Sequence, residues 1–215
     1  MDYRYLPFHA DKAIVNTDID EQARDFARLA PLSEFSCRPG RRYRSEWVAG
    51  VANDVTVLAG SSTAHKQTQD ALTDLERVSL FIPIKGSHIF QSGGQQICLE
   101  GSDSMLFFPP FDRSYETTDM SAVFIQANAS AIARHAIELS SDADALVPSL
   151  VRLQEPKHLL LSDNLNRQIF STLRQIMVLI NGFNAQGPLL PSNSGIDTLI
   201  ERCLVALLFP ELVES

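Results

Sequence analysis

Apolar and polar positions alternate with a period of two through the first half of the chain and with a helical period through the second. Val55, Val57 and Ala59 alternate with Thr56 and Leu58. Val78, Leu80, Ile82 and Ile84 fall on one face of a second run, with Ser79, Phe81, Pro83 and Lys85 on the other. This alternation predicts strands of a sheet with one buried face. Pro83 cannot donate to a ladder and predicts a bulge or an edge. Ser92-Gly93-Gly94-Gln95 separates two short extended runs and predicts a tight hairpin, because Gly-Gly tolerates the positive φ such turns require. A second turn is expected at Glu100–Asp103. Met105-Leu106-Phe107-Phe108 then reads as a short buried strand stopped by Pro109-Pro110, and Ala122–Gln126 as the last strand. Short strands joined by turns at this spacing predict a β-sandwich or small barrel over 43–127.

After Ala127 the period changes. Ser130 is the expected N-cap of a helix through Ile132, His135, Ala136 and Leu139, and a short helix is expected near 143–150. Asp163 is placed to cap a longer helix carrying Leu165, Ile169, Leu173, Ile176 and Ile180 on one stripe. Phe170, Met177 and Leu179 add apolar surface beside that stripe. The surplus predicts a homodimer contact built on Ile169, Leu173, Ile176, Met177 and Ile180, with Met177 exposed in the monomer. A final helix is expected from Ile196 through Leu208, ended by Pro210.

Composition narrows the picture. The 215 residues are 45% hydrophobic and 20% charged, the balance of a globular chain long enough to bury a core without metal or disulfide staples. Eighteen basic against 26 acidic residues leave a formal charge of -8. Nucleic-acid binding runs on cations that displace counterions, so this chain is not expected to bind DNA by itself. The dense cluster Arg38, Arg41, Arg42 and Arg44 reads as a solvated turn. Three cysteines without a C-x-x-C pair exclude a zinc knuckle or dithiol motif, and Cys98 and Cys203 are expected in the core. With no signal peptide and no membrane-length apolar run, the expected location is the reducing cytoplasm.

Catalytic patterns are scarce. His9, His65, His88, His135 and His158 lie far apart, so no metal-ligating spacing is present. His88 is expected to be structural or pocket-lining, and His135 to face solvent or meet a carboxylate. There is no G-x-S-x-G, P-loop or G-x-G-x-x-G. No metal, no cofactor and no catalytic set are expected.

The segment Ser104–Tyr115, with its buried strand ending at Phe108-Pro109-Pro110, resembles the second half of a cupin barrel, but Arg113, Ser114 and Tyr115 stand where metal cupins often carry a histidine. Lys85–Gly101 holds one histidine where those cupins have a pair. The order of parts, up to the helix Ile196–Pro210, resembles the regulatory half of AraC-type transcriptional regulators. The family's Gly-Asp before the buried strand is here Asp103-Ser104.

The resemblance implies an α+β fold: an N-terminal extension (1–42), a metal-free cupin-like β-barrel or jelly roll (43–127) and a helical dimerisation region (128–215). It implies a small-molecule effector in the barrel, a homodimer, and DNA contact only through a helix-turn-helix domain missing after Pro210. The chain would then be a fragment of a regulator or a sensor-only protein. Effector contacts are expected at Trp47, Phe81, Phe108, Arg113 and Tyr115. The competing expectation is a cupin-type enzyme, an isomerase or dioxygenase.

Overall fold

Two antiparallel sheets face each other, and helices cover the outer side of the larger one. The computed structural model describes residues 13–27, 33–37, 40–69, 76–92, 94–109, 113–140, 151–184 and 194–213. Along the chain these form β1 (Ile14–Asn16), α1 (Ile19–Phe26), β2 (Ser33–Ser36), β3 (Ser45–Ala52), β4 (Val55–Ser62), β5 (His65–Gln69) and β6 (Arg77–Lys85). There follow β7 (Ser87–Ser92), β8 (Gln95–Glu100), β9 (Ser104–Phe108), β10 (Arg113–Thr117) and β11 (Met120–Asn128). The remainder is α2 (Ala129–Ser140), β12 (Lys157–Leu160), α3 (Asn164–Asn184) and α4 (Ile196–Leu208). The large sheet runs β1-β3-β4-β11-β6-β9-β12 and the small one β2-β5-β10-β7-β8.

The alternation in β4, β6 and β9 sorts two cores rather than a core and a solvent face. Val57, Ala59, Leu80, Ile82, Met105 and Phe107 point outward and pack with Leu173, Ile176, Ile180, Ile200 and Leu204 of the helices. Phe81, Leu106 and Phe108 point inward and meet Phe90, Leu99 and Tyr115 of the small sheet. The expected one-sided burial is thus corrected: helices cover the face a lone sheet would leave to water. Complete burial of each such side chain contributes roughly 1.5–3 kcal/mol, which fixes the register, since a one-residue slip would exchange the two cores.

Pro83 lies in the interior of the large sheet, at a bulge. Lys85 pairs with Ser121 and Pro83 with Ala122, so Ile84 is the extra residue. The expected hairpin closes with Ser92 opposite Gln95, and Gly94 has φ +79°.

Three local expectations are corrected. The cap of α2 is Asn128, not Ser130: its Oδ1 accepts from the backbone N–H of Ser130 at 2.8 Å and of Ala131 at 3.3 Å. Strand β11 runs directly into the helix, so the last strand residue sits at the capping position. Cys98 is exposed on β8, and only Cys203 of the expected pair is buried. Between the helices, β12 adds an edge strand beside β9, with His158 opposite Leu106. Only Leu159 of its four residues is buried, too little for a period to register in the sequence.

Asp163 caps α3 as expected, accepting from Leu165 N–H at 2.9 Å and Asn166 N–H at 3.1 Å. The apolar stripe of α3 belongs to the core of the single chain. Leu173, Ile176, Met177 and Ile180 are buried, and Ile169 and Phe170 pack against the same cluster. Met177 is 4% exposed, so its expected exposure in the monomer is corrected; Val178 and Leu179 are 68% and 53% exposed instead. The helix expected near 143–150 lies outside the described residues.

Residues 14–36, expected as an extension, add β1 beside β3 and β2 beside β5, one edge strand to each sheet. Helix α1 lies between them, capped by Asp18, whose carboxylate accepts from Asp20 N–H at 2.7 Å. It therefore sits where the two sheets open. Of the arginine cluster, Arg41 pairs with Asp119 at 3.3 Å, Arg44 pairs with Glu46, and Arg42 is exposed; Arg38 lies outside the described residues.

Candidate ligand-binding site

Between the sheets, the inward rows of β3, β4 and β11 change from large to small side chains. Trp47 stands opposite Gly60, and Gly60 opposite Ala122. A Cβ on Gly60 would lie 3.1 Å from Trp47 Cβ and 3.1 Å from the Glu46 carbonyl. The missing side chain lets the indole lie across the strand, and the Gly60–Ala122 gap beside it leaves a cavity of about 70 Å³.

Elements from both sheets and the N-terminal segment line it. Leu58, Ala122 and Phe124 come from the large sheet, His65 and Tyr115 from the small sheet, and Gln22, Phe26 and Phe35 from α1 and β2. Phe26 packs edge-on against Trp47 at 5.2 Å and against Phe35 at 5.7 Å. Gln22 is buried and its Oε1 accepts from Asn16 Nδ2 at 2.9 Å and from the Ser45 hydroxyl, which ties α1 to β1 and β3.

One lining group is a buried ring donor without a partner. Trp47 Nε1 makes no hydrogen bond, although Trp47 is only 7% exposed. Ser45 donates to Gln22 and keeps its lone pairs for the Tyr43 hydroxyl, the side-chain partner that partly offsets the burial of Tyr43. Burial pushes the Tyr43 hydroxyl up to about 12, so it stays protonated. An unmet buried donor costs about 1–3 kcal/mol, and native structures keep few of them. Ser61 is also a lining residue with an unpaired Oγ, but its side chain alternates toward the other face of β4, that of Val57 and Ala59.

Two buried histidines flank these groups. His65 Nδ1 lies 3.1 Å from the Thr63 carbonyl and 3.1 Å from the Ser62 hydroxyl. A carbonyl only accepts, so Nδ1 carries the proton and Nε2 presents a lone pair. Burial holds His65 below its ordinary range, hence neutral. His88 is completely buried behind the cavity wall: its Nε2 donates to the Lys85 carbonyl at 3.2 Å, and its Nδ1 accepts from Tyr115 Oη at 2.8 Å. Desolvation pulls it down to about 4. His88 is therefore structural, fixing the Tyr115 ring.

Of the five expected contacts, Trp47 and Tyr115 line the cavity. Phe81 is wedged between His88, Phe90, Tyr115 and Phe124, and Phe108 lies against Phe90 in the same inner core; neither lines the cavity. Arg113 is in β10 opposite Gln69, and its side chain lies outside the described residues. His65, Phe26 and Phe35 were missed by sequence reasoning, and Tyr43, an aromatic available to the barrel interior, was not among the five. The spacing Tyr43-Ser45-Trp47 was the available signal, since alternation puts all three on one face.

His135, expected to meet solvent or a carboxylate, meets two: Glu138 at 3.0 Å and the buried Glu201 of α4 at 3.1 Å. Among the described residues no three His, Cys, Asp or Glu side chains cluster as metal ligands, and no helix is long and apolar enough to cross a membrane.

No family model and no curated protein matches this sequence. Solved structures do. The AraC-like transcriptional activator CuxR superposes with a TM-score of 0.61 over 92% of this chain and 70% of its own, at 13% identity. The two share a fold. This chain is a cupin-like jelly roll with a helical region behind it, the α+β architecture expected from the sequence. KdgF from Halomonas sp. (TM-score 0.32, 11% identity, 44% of this chain and 84% of its own) and ectoine synthase from P. lautus (0.33, 12%, 39% and 63%) cover less than half of this chain. Likenesses at those scores carry no conclusion about activity.

Proposed function

We propose that this chain is the ligand-sensing and dimerisation part of an AraC-type transcription regulator, binding a small effector between the sheets and acting on DNA through a separate helix-turn-helix domain. The observation that carries the reading is the cavity, whose wall holds the buried Trp47 donor without a partner in the chain. The fold shared with an AraC-like activator supports the regulatory context. A ligand that bridges α1, β2 and the large sheet would favour one arrangement of these parts, and a shift in that balance is all a regulator needs. The face of α3 bearing Val178 and Leu179 is the surface offered for self-association.

The test pairs sedimentation with a thermal-shift screen of small molecules on the purified chain. A dimer, and a compound that raises the Tm by about 5–10 °C at a hundredfold its Kd, is the expected result. A chain that remains monomeric at about 100 μM and answers to no compound would remove the reading.

A further inference from the structure

We propose that the cavity selects an uncharged, flat ligand that offers a hydrogen-bond acceptor to Trp47 and a hydroxyl or N–H donor to His65. This rests on the ligand-sensing reading above and names the chemistry of its effector. An indole N–H only donates, so whatever satisfies Trp47 Nε1 must be an acceptor. His65 is the complementary group: with Nδ1 committed to the Thr63 carbonyl, its Nε2 can only accept.

Charge is excluded by the surroundings. Among the described lining residues there is no Lys or Arg, and the one acid, Glu46, alternates to the opposite face of β3 from Trp47 and is held by Arg44. A carboxylate or phosphate would enter with no counter-charge, and an ammonium with none on its own side. Desolvating an unpaired ion is far dearer than desolvating a neutral group.

Shape follows from the walls. Phe26, Phe35, Trp47 and Phe124 are aromatic surfaces, and Phe35 stacks with His65 at 6.1 Å with 30° between planes. A hydroxyl-rich sugar would leave most of its groups unmatched here, whereas an aromatic ester, amide or ketone bearing one hydroxyl matches both the faces and the polar set.

Trp47 is the single tryptophan, so its emission reports on the cavity directly. The probes are methyl 4-hydroxybenzoate, 4-hydroxybenzoate and tyramine, matched in ring and hydroxyl but neutral, anionic and cationic at about pH 6.5. The neutral ester should change Trp47 emission and bind at least about tenfold more tightly than either ion. By calorimetry, Trp47→Phe should weaken the ester about tenfold. Methyl 4-methoxybenzoate, which lacks the donor, should bind about tenfold more weakly than the ester to the native chain and equally well to His65→Phe.

Tighter binding of either ion would overturn the ligand class and leave the sensing function standing. An unweakened ester in Trp47→Phe, or a donor preference that survives His65→Phe, would overturn the assigned roles. If none of the three probes is bound while the thermal-shift screen yields a ligand that moves Trp47 emission, the class is wrong and the sensor is right. Silence from both sets removes both.

Discussion

His88 and Gly86 hold one corner of the barrel by opposite means. His88 is buried neutral, its ionisation held down to about 4 by desolvation, against an ordinary value of 6.5. As pH falls, the unfolded chain takes up this proton first. The contribution of His88 is therefore complete above about pH 6.5 and drains away toward pH 4, where about 3 kcal/mol has been lost. His65 shifts in the same direction for the same reason. In His88→Gln, the stability deficit seen by denaturant unfolding at neutral pH should narrow by about that amount at pH 4, whereas a constant gap would mean that the imidazole takes up its proton as readily in the folded chain as in the unfolded one. Gly86 has φ +93°, and a Cβ there would lie 2.6 Å from the Asp119 carbonyl. Gly86→Ala should cost about 3 kcal/mol in the same measurement, since both the conformation and the rigid backbone atom oppose it. At this scale the sequence is legible where a residue's own chemistry makes a demand: Trp47 and Tyr115 stand out because their polar tips need partners. His65 does not, because its accepting nitrogen is created by the Thr63 carbonyl, a contact that no spacing encodes.

Helix α3 shows how far periodicity reaches. Its cap and its stripe are both readable, because Asp163 and the recurrence from Leu165 to Ile180 follow from helix geometry alone. What the stripe packs against is not readable, since a helix facing a sheet and a helix facing its own copy carry the same pattern. Here the sheet has claimed it. Met177→Glu should therefore unfold the chain, burying a carboxylate among Leu173, Ile176 and Ile180 at a cost of several kcal/mol. Val178→Glu should leave the Tm nearly unchanged, within about 0.5 kcal/mol of stability, while shifting the sedimenting species toward monomer. A Val178→Glu variant that sediments like the parent would move self-association to another surface. Strand β12 fails to show in the sequence for a related reason. Its place is set by the edge of β9 and by Lys157, whose ammonium donates to the Leu207 and Leu208 carbonyls at the end of α4.

Across the whole molecule, β1, α1 and β2 do most to close the site: β1 and β2 clip onto different sheets, and α1 sets Phe26 on Trp47 between them. A chain beginning at residue 38 should still unfold cooperatively, but acrylamide should then quench Trp47 freely; unchanged quenching would mean that the cavity is shielded by something else. The strand order has a further consequence, for synthesis. In the large sheet β11 lies between β4 and β6, yet it follows the end of β6 by about forty residues. Two strands that are apolar on both faces must therefore leave the ribosome before the strand that joins them exists. At about 5–20 residues per second that interval lasts roughly 2–8 s. Throughout it, β4 and β6 offer bare edges to any neighbouring nascent chain, so the yield of native protein depends on how quickly residues 86–128 are translated.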